Sequence, residues 1–81
     1  MIKVVFLGKY RELAGVDELA LPACGDFAAL AQALMNTSAE LQQLLNDERL
    51  LIAVNHHLVS REQFSARSGD EVALMPPVTG G

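Results

Sequence analysis

The 81-residue sequence has no tryptophan, one cysteine and only six lysine and arginine residues. The lone cysteine excludes an internal disulfide bond. The net charge of −4 and the scattered basic residues argue against a nucleic-acid partner, because phosphates need clustered cations. The apolar residues 1–7 are too few for a secretory leader, and no apolar stretch approaches the about 20 residues of a membrane helix. We therefore expect a cytoplasmic protein with no nucleic-acid or membrane partner.

Familiar catalytic and metal-binding motifs are also missing. The sequence contains no glycine-rich phosphate loop, nucleophile elbow or helical His-Glu motif. His56 and His57 have no cysteine or carboxylate at zinc-ligand spacing, so no metal site is predicted. Cys24 precedes a predicted helix start, where a thiol can be acidified, but such a cysteine is more often a small buried filler. We expect a chain that binds no cofactor and is not catalytic alone.

Apolar residues are plentiful, at 51% of the chain, and indicate one small folded domain. Runs rich in β-branched and aliphatic residues predict strands at residues 2–7, 18–21, 50–54 and 71–75, with a short return strand at 58–59. Asp26 is a suitable N-cap for a main helix over residues 27–36. Thr37 and Glu40 have capping-box spacing and predict a second short helix through residue 45. Gly15 is expected to close a short helical turn after the first strand.

This order of elements predicts an α+β fold in which a mixed sheet packs against one main helix plus short helices. The β-grasp arrangement of ubiquitin fits, with the first and last strands as parallel neighbours joined through the helical crossover. Residues 1–75 form the predicted domain, and residues 76–81 form an extended tail.

Alternation along the first and last strands places some apolar side chains opposite the core-facing ones. On this pattern Val5, Leu7, Ala73 and Met75 point outward, near the strand ends from which the tail leaves. An exposed apolar patch beside the tail indicates a docking surface. The alternative is that helices or a loop cover these residues.

The tail itself reads Pro-Pro-Val-Thr-Gly-Gly and follows the last predicted strand without a polar linker. Pro76 and Pro77 end the strand and stiffen the exit of the chain. Gly80 and Gly81 have no Cβ, so their backbone fits a narrow slot and leaves the terminal acyl carbon open to a reagent. A diglycine can also be an ordinary flexible end. If the terminal carboxylate is the reactive group, a separate ATP-using enzyme must join it to AMP before a persulfide can convert it to a thiocarboxylate.

Three blocks of sequence carry a resemblance to a known family. They are residues 11–15 (Arg-Glu-Leu-Ala-Gly), residues 53–60 (Ala-Val-Asn, then Leu-Val-Ser), and residues 69–81, which end in the diglycine. On these blocks the chain resembles, over essentially its full length, the small subunit of molybdopterin synthase (the MoaD family), a ubiquitin-like sulfur carrier. Family members often carry aromatic residues near Leu7 and Met75, where this chain has aliphatic ones.

The resemblance implies that an E1-like enzyme, using ATP and Mg²⁺, adenylates Gly81, and that a persulfide donor then converts it to a thiocarboxylate. The tail would enter the large synthase subunit, where its sulfur helps build the dithiolene of molybdopterin from cyclic pyranopterin monophosphate. The residues implied to contact partner proteins are Leu7, Arg11, Leu58, Met75, Pro76, Pro77, Val78 and Thr79.

Three other functions share parts of this pattern. A sulfur carrier for thiamine thiazole synthesis has the same fold and diglycine, although its helical middle is shorter than residues 27–45. A ubiquitin-like modifier would form isopeptide bonds through Gly81. A non-covalent interaction domain would have an inert tail that tolerates extension by a residue.

Overall fold

The computed structural model describes residues 1–77, and within them five strands form one mixed sheet. The strands are β1 (Ile2–Phe6), β2 (Glu18–Leu21), β3 (Leu51–Val54), β4 (His57–Val59) and β5 (Glu71–Met75). Their order across the sheet is β2-β1-β5-β3-β4. The central pair, β1 and β5, is parallel, and the other neighbours are antiparallel. The predicted β-grasp topology is therefore confirmed.

Helical segments connect the strands. α1 (Lys9–Ala14) lies between β1 and β2, and the crossover from β2 to β3 contains α2 (Phe27–Thr37), a 3-10 helix (Ala39–Leu41) and α3 (Gln42–Leu45). The Asp26 carboxylate accepts the backbone N–H of Ala29 at 2.9 Å, which confirms the predicted N-cap of α2. Gly15 ends α1 in the left-handed conformation, at φ 76°, as expected for a glycine C-cap. None of the helices described within residues 1–77 is long and apolar enough to cross a membrane.

The predicted capping box at Thr37 is wrong. Thr37 is the last residue of α2, and its hydroxyl donates to the carbonyl of Ala33 at 3.0 Å. The extended residue between the two helices is Ser38, whose side chain makes no capping bond. The Thr37 hydroxyl is therefore used within α2 and does not cap the helix that follows.

The turn between β3 and β4 is also shorter than the three residues, 55–57, that the predicted strand bounds leave for it. Asn55 and His56 occupy it alone, with φ of 50° and 71°, as in the type I′ turns that match the twist of a hairpin. Val54 therefore lies opposite His57, which is the first residue of β4 and not part of the turn.

Asn55 also connects this turn to the start of β5. Its amide donates to the Asp70 carboxylate at 2.9 Å, and its side-chain oxygen accepts the N–H of Glu71 at 3.0 Å. The backbone N–H of Arg67 and then the Asn55 amide lower the pKa of Asp70 below its usual range. These bonds fix where β5 begins.

The core lies between one face of the sheet and the helices. Its sheet side consists of residues that are at most 2% exposed, namely Ile2, Val4, Phe6, Ile52, Val72 and Leu74. Its helix side includes Leu30, Leu34, Leu41 and Leu44. Both central strands therefore bury every second residue, as their alternation predicted.

Arg61 ties the segment after β4 to the end of α3. Its guanidinium donates to the carbonyls of Leu45 at 3.1 Å and Asp47 at 2.7 Å, and it lies 4.8 Å from the centre of the Phe27 ring. The last carbonyls of a helix have no partner within the helix, so the bond to Leu45, the last residue of α3, satisfies such an acceptor.

We expect Arg61→Ala to lower the free energy of unfolding by about 1–3 kcal/mol, because it removes charge-assisted bonds to part-buried carbonyls. The measurement is the urea midpoint. Arg67→Ala is the matched control, since that side chain makes no hydrogen bond to another residue within residues 1–77. An equal loss in the two variants would contradict this account.

Candidate functional site

The tail begins at the centre of the sheet. Leu74 accepts the N–H of Leu7 at 3.1 Å, one residue beyond the end of β1, and Met75 lies opposite Leu51 on β3. The β5 strand is thus held from both sides up to Pro76, which lacks a backbone N–H and ends the ladder. The base of the tail has a fixed position and direction.

Gly8 lies against this base. It has φ 59° and ψ −139°, and a Cβ placed on it would come within 2.9 Å of the Pro76 Cγ. The proline ring therefore packs directly on the Gly8 backbone, at a spacing that only glycine permits in this conformation. Sequence reasoning passed over Gly8. Its position just after a strand that runs parallel to β5 is the signal that could have identified it.

The outer face of the sheet carries apolar side chains at its tail end. We call this set the apolar patch, and it consists of Val5, Leu7, Leu51, Leu58, Ala73 and Met75. Leu58 is 67% exposed, and the other five are half-buried. The helices contribute to the core on the opposite face, so within residues 1–77 they do not cover the patch. The predicted outward orientation is confirmed, while the predicted binding role stays a prediction.

The other end of the same face is charged. Lys3 lies 3.9 Å from the Glu18 carboxylate and 3.5 Å from that of Glu71, and His56 lies 3.0 Å from Glu71. These pairs are partly or largely exposed, so they add little to stability. Their effect is to divide the face into a hydrated end and an apolar end beside the tail.

Arg11 lies on α1, where it is exposed and 3.4 Å from the Asp17 carboxylate. It is therefore not part of the apolar patch. Pro76 and Pro77 are half-buried at the tail base. The remaining predicted site residues, Val78, Thr79, Gly80 and Gly81, lie outside the described residues.

Cys24 behaves as a filler and not as a reactive thiol. It is 3% exposed, its Sγ donates to the Pro22 carbonyl at 3.3 Å, and burial raises the pKa of its thiol.

The predicted absence of a metal site concerned the two histidines, of which His57 has its Nδ1 3.0 Å from the Asn55 carbonyl. Within residues 1–77, no three histidine, cysteine or acidic residues are grouped closely enough to hold a metal ion.

Known proteins are similar to this chain in sequence and in fold. The model of the ThiS family matches residues 4–81. The chain is 45% identical to the molybdopterin synthase sulfur carrier subunit of Escherichia coli K12, and the match covers all of both chains. It is 25% identical to a chain in the complex of subunits 1 and 2 of the molybdopterin-converting factor from Helicobacter pylori, with a TM-score of 0.67 over 99% of this chain and 97% of that one.

A further likeness concerns the fold alone. The small archaeal modifier protein 1 from Methanosarcina acetivorans superimposes with a TM-score of 0.78 over 99% of this chain and 95% of that one. Its identity to this chain is 23%. The same sheet and helix layers are thus found in proteins that are named for different functions.

Proposed function

The chain belongs to the ThiS family, and we infer that it is the sulfur carrier subunit of a molybdopterin synthase. The observation that carries this conclusion is the match over all of both chains to the E. coli sulfur carrier subunit, a match that includes the terminal diglycine. The architecture supports it, because the paired strands hold the base of the tail in place beside the apolar patch.

The reactive group we propose is the α-carboxylate of Gly81. A carboxylate is a poor electrophile, so its oxygen first attacks the α-phosphorus of ATP on an activating enzyme, with Mg²⁺ present, and pyrophosphate leaves. The terminal sulfur of a persulfide then attacks the acyl carbon and displaces AMP. A thiol cleaves the resulting sulfur–sulfur bond, which leaves a thiocarboxylate on Gly81 and a disulfide on the donor side.

The large synthase subunit is the partner that uses this sulfur. We propose that it binds the tail and presents cyclic pyranopterin monophosphate, whose carbons accept sulfur from the thiocarboxylate to form the dithiolene. The H. pylori complex of subunits 1 and 2 supports such a pairing. The present chain contributes a sulfur nucleophile on a slim tail with a preordered base, and preordering lowers the entropy lost on binding.

Reconstitution tests this function. Thiocarboxylated protein, purified large subunit and cyclic pyranopterin monophosphate should give molybdopterin, with one sulfur consumed per thiocarboxylate. The matched control is the same protein with an unmodified carboxylate, which should give none. The second candidate function is that of a sulfur carrier for thiamine thiazole synthesis, to which the name of the matching family, ThiS, points. Thiazole formation with the thiamine enzymes, and no dithiolene here, would contradict the proposal, as would a lysine-linked adduct as the only product.

A further inference from the structure

A cleft opens at the tail end of the β3–β4 hairpin. The two strands pair only as far as Ile52 and Val59. Beyond this point Glu48 and Leu50 on one side and residues 60–62 on the other line a cavity of about 340 Å³. That volume is at the lower end of the about 300–1,000 Å³ range of ligand pockets. It suits one long side chain better than a cofactor.

The floor of the cleft is apolar and joins the apolar patch. Leu51 and Leu58 belong to both, and Leu50 is only 7% exposed beneath them. Because Leu51 lies opposite Met75, the cleft is next to the residue from which the tail departs. Any protein that takes up the tail and covers the patch also reaches the cleft.

The rim of the cleft carries unpaired negative charge. Glu48 and Glu62 line it, both are exposed, and neither forms an ion pair within residues 1–77. The one cation among the lining residues is Arg61, whose guanidinium is engaged by the carbonyls of Leu45 and Asp47. The two carboxylates outnumber this single guanidinium, so the lining keeps a net negative charge and favours a cation from outside.

We propose that this cleft receives a lysine or arginine side chain of the large synthase subunit. The aliphatic stem would lie over Leu51 and Leu58, and the charged end would lie between Glu48 and Glu62, an arrangement natural to long cationic side chains. The inference rests on the proposed function. The large subunit is the occupant because a relative is found in a complex with its own subunit 2. The cleft also shares Leu51 and Leu58 with the apolar patch, which the proposed function assigns to that interface.

Two charge reversals test the proposal, Glu48→Lys and Glu62→Lys, each measured for affinity to the purified large subunit. Glu40→Lys is the matched control, since Glu40 is an exposed carboxylate in the 3-10 helix and does not line the cleft. We expect each cleft variant to bind the large subunit on the order of tenfold more weakly than the control does. This difference in affinity should become smaller at higher salt concentration, because salt screens the charges.

Affinity equal to that of the Glu40→Lys control would overturn the proposal. So would a loss confined to binding of the activating enzyme, because the cleft would then serve a different protein. All three variants leave Gly81 untouched, so dithiolene formation at saturating carrier should match that of the unsubstituted protein. Failure of the unsubstituted protein to form product would instead count against the proposed function.

Discussion

Removing Gly81, or adding one residue after it, should abolish sulfur transfer while the protein folds as before. Either change moves the terminal acyl carbon by a full residue, about 3.3–3.6 Å along an extended chain. A misplacement of about 1 Å can already cost about a hundredfold in rate, so we expect a loss well beyond a hundredfold. The measurement is thiocarboxylate formation with the activating enzyme, followed by mass spectrometry.

These changes should leave the stability of the fold unaltered, because the described core and sheet lie within residues 1–77. The unfolding midpoint is therefore the internal control. A matched extension at the other end, one residue before Met1, should leave sulfur transfer intact. Sulfur uptake by the C-terminally extended protein would mean that the terminal carboxylate is not the reactive group, and the inert-tail function would then be favoured.

Met75→Glu should weaken binding to the large subunit by about 2–4 kcal/mol, or roughly 30- to 1,000-fold in Kd, as expected for a central interface anchor. Met75 is half-buried on the outer face, beside Leu51 and immediately before the prolines. A carboxylate at this position would have to be desolvated without a partner when the large subunit covers the patch.

The control for this variant is Val16→Glu, which adds the same charge at an apolar residue that is 42% exposed and lies outside the patch. It should bind the large subunit as the unsubstituted protein does. Because Met75 is not part of the core cluster, the melting temperature of Met75→Glu should change little. A large fall in melting temperature with unchanged affinity would place Met75 in the core and remove the patch from the interface.

Most of the fold could be predicted because its local and long-range signals agree. Alternation in β1 and β5 distinguished the buried Ile2 and Val72 from the outward Val5 and Ala73. The Asp26 cap and the apolar stripe of α2 also agree with the structure. Where two signals competed, as at Thr37, short-range spacing gave the wrong result because α2 continues through Thr37, whose hydroxyl donates back to the Ala33 carbonyl.

The sequence was enough to identify the tail as the candidate site, but not the contacts that surround its base. The diglycine and the prolines point to the tail because they are contiguous in sequence. The packing of Gly8 on Pro76, and the meeting of Glu48 and Glu62 at one cleft, join residues far apart along the chain. Those contacts depend on the parallel β1–β5 pairing and on the divergence of β3 and β4, which no local pattern encodes. The burial of Tyr10 was likewise unforeseen, since one turn of helix gives no register for its face.

The most direct test of the central claim is the intact mass of the protein recovered from its native host and of its C-terminal peptide. If this chain carries sulfur on Gly81, part of the population should show one oxygen replaced by sulfur, and the change should map to the terminal glycine. That population should disappear when the activating enzyme is absent. A mass that always corresponds to an unmodified carboxylate, in cells making molybdopterin with this chain as their only carrier, would contradict the account.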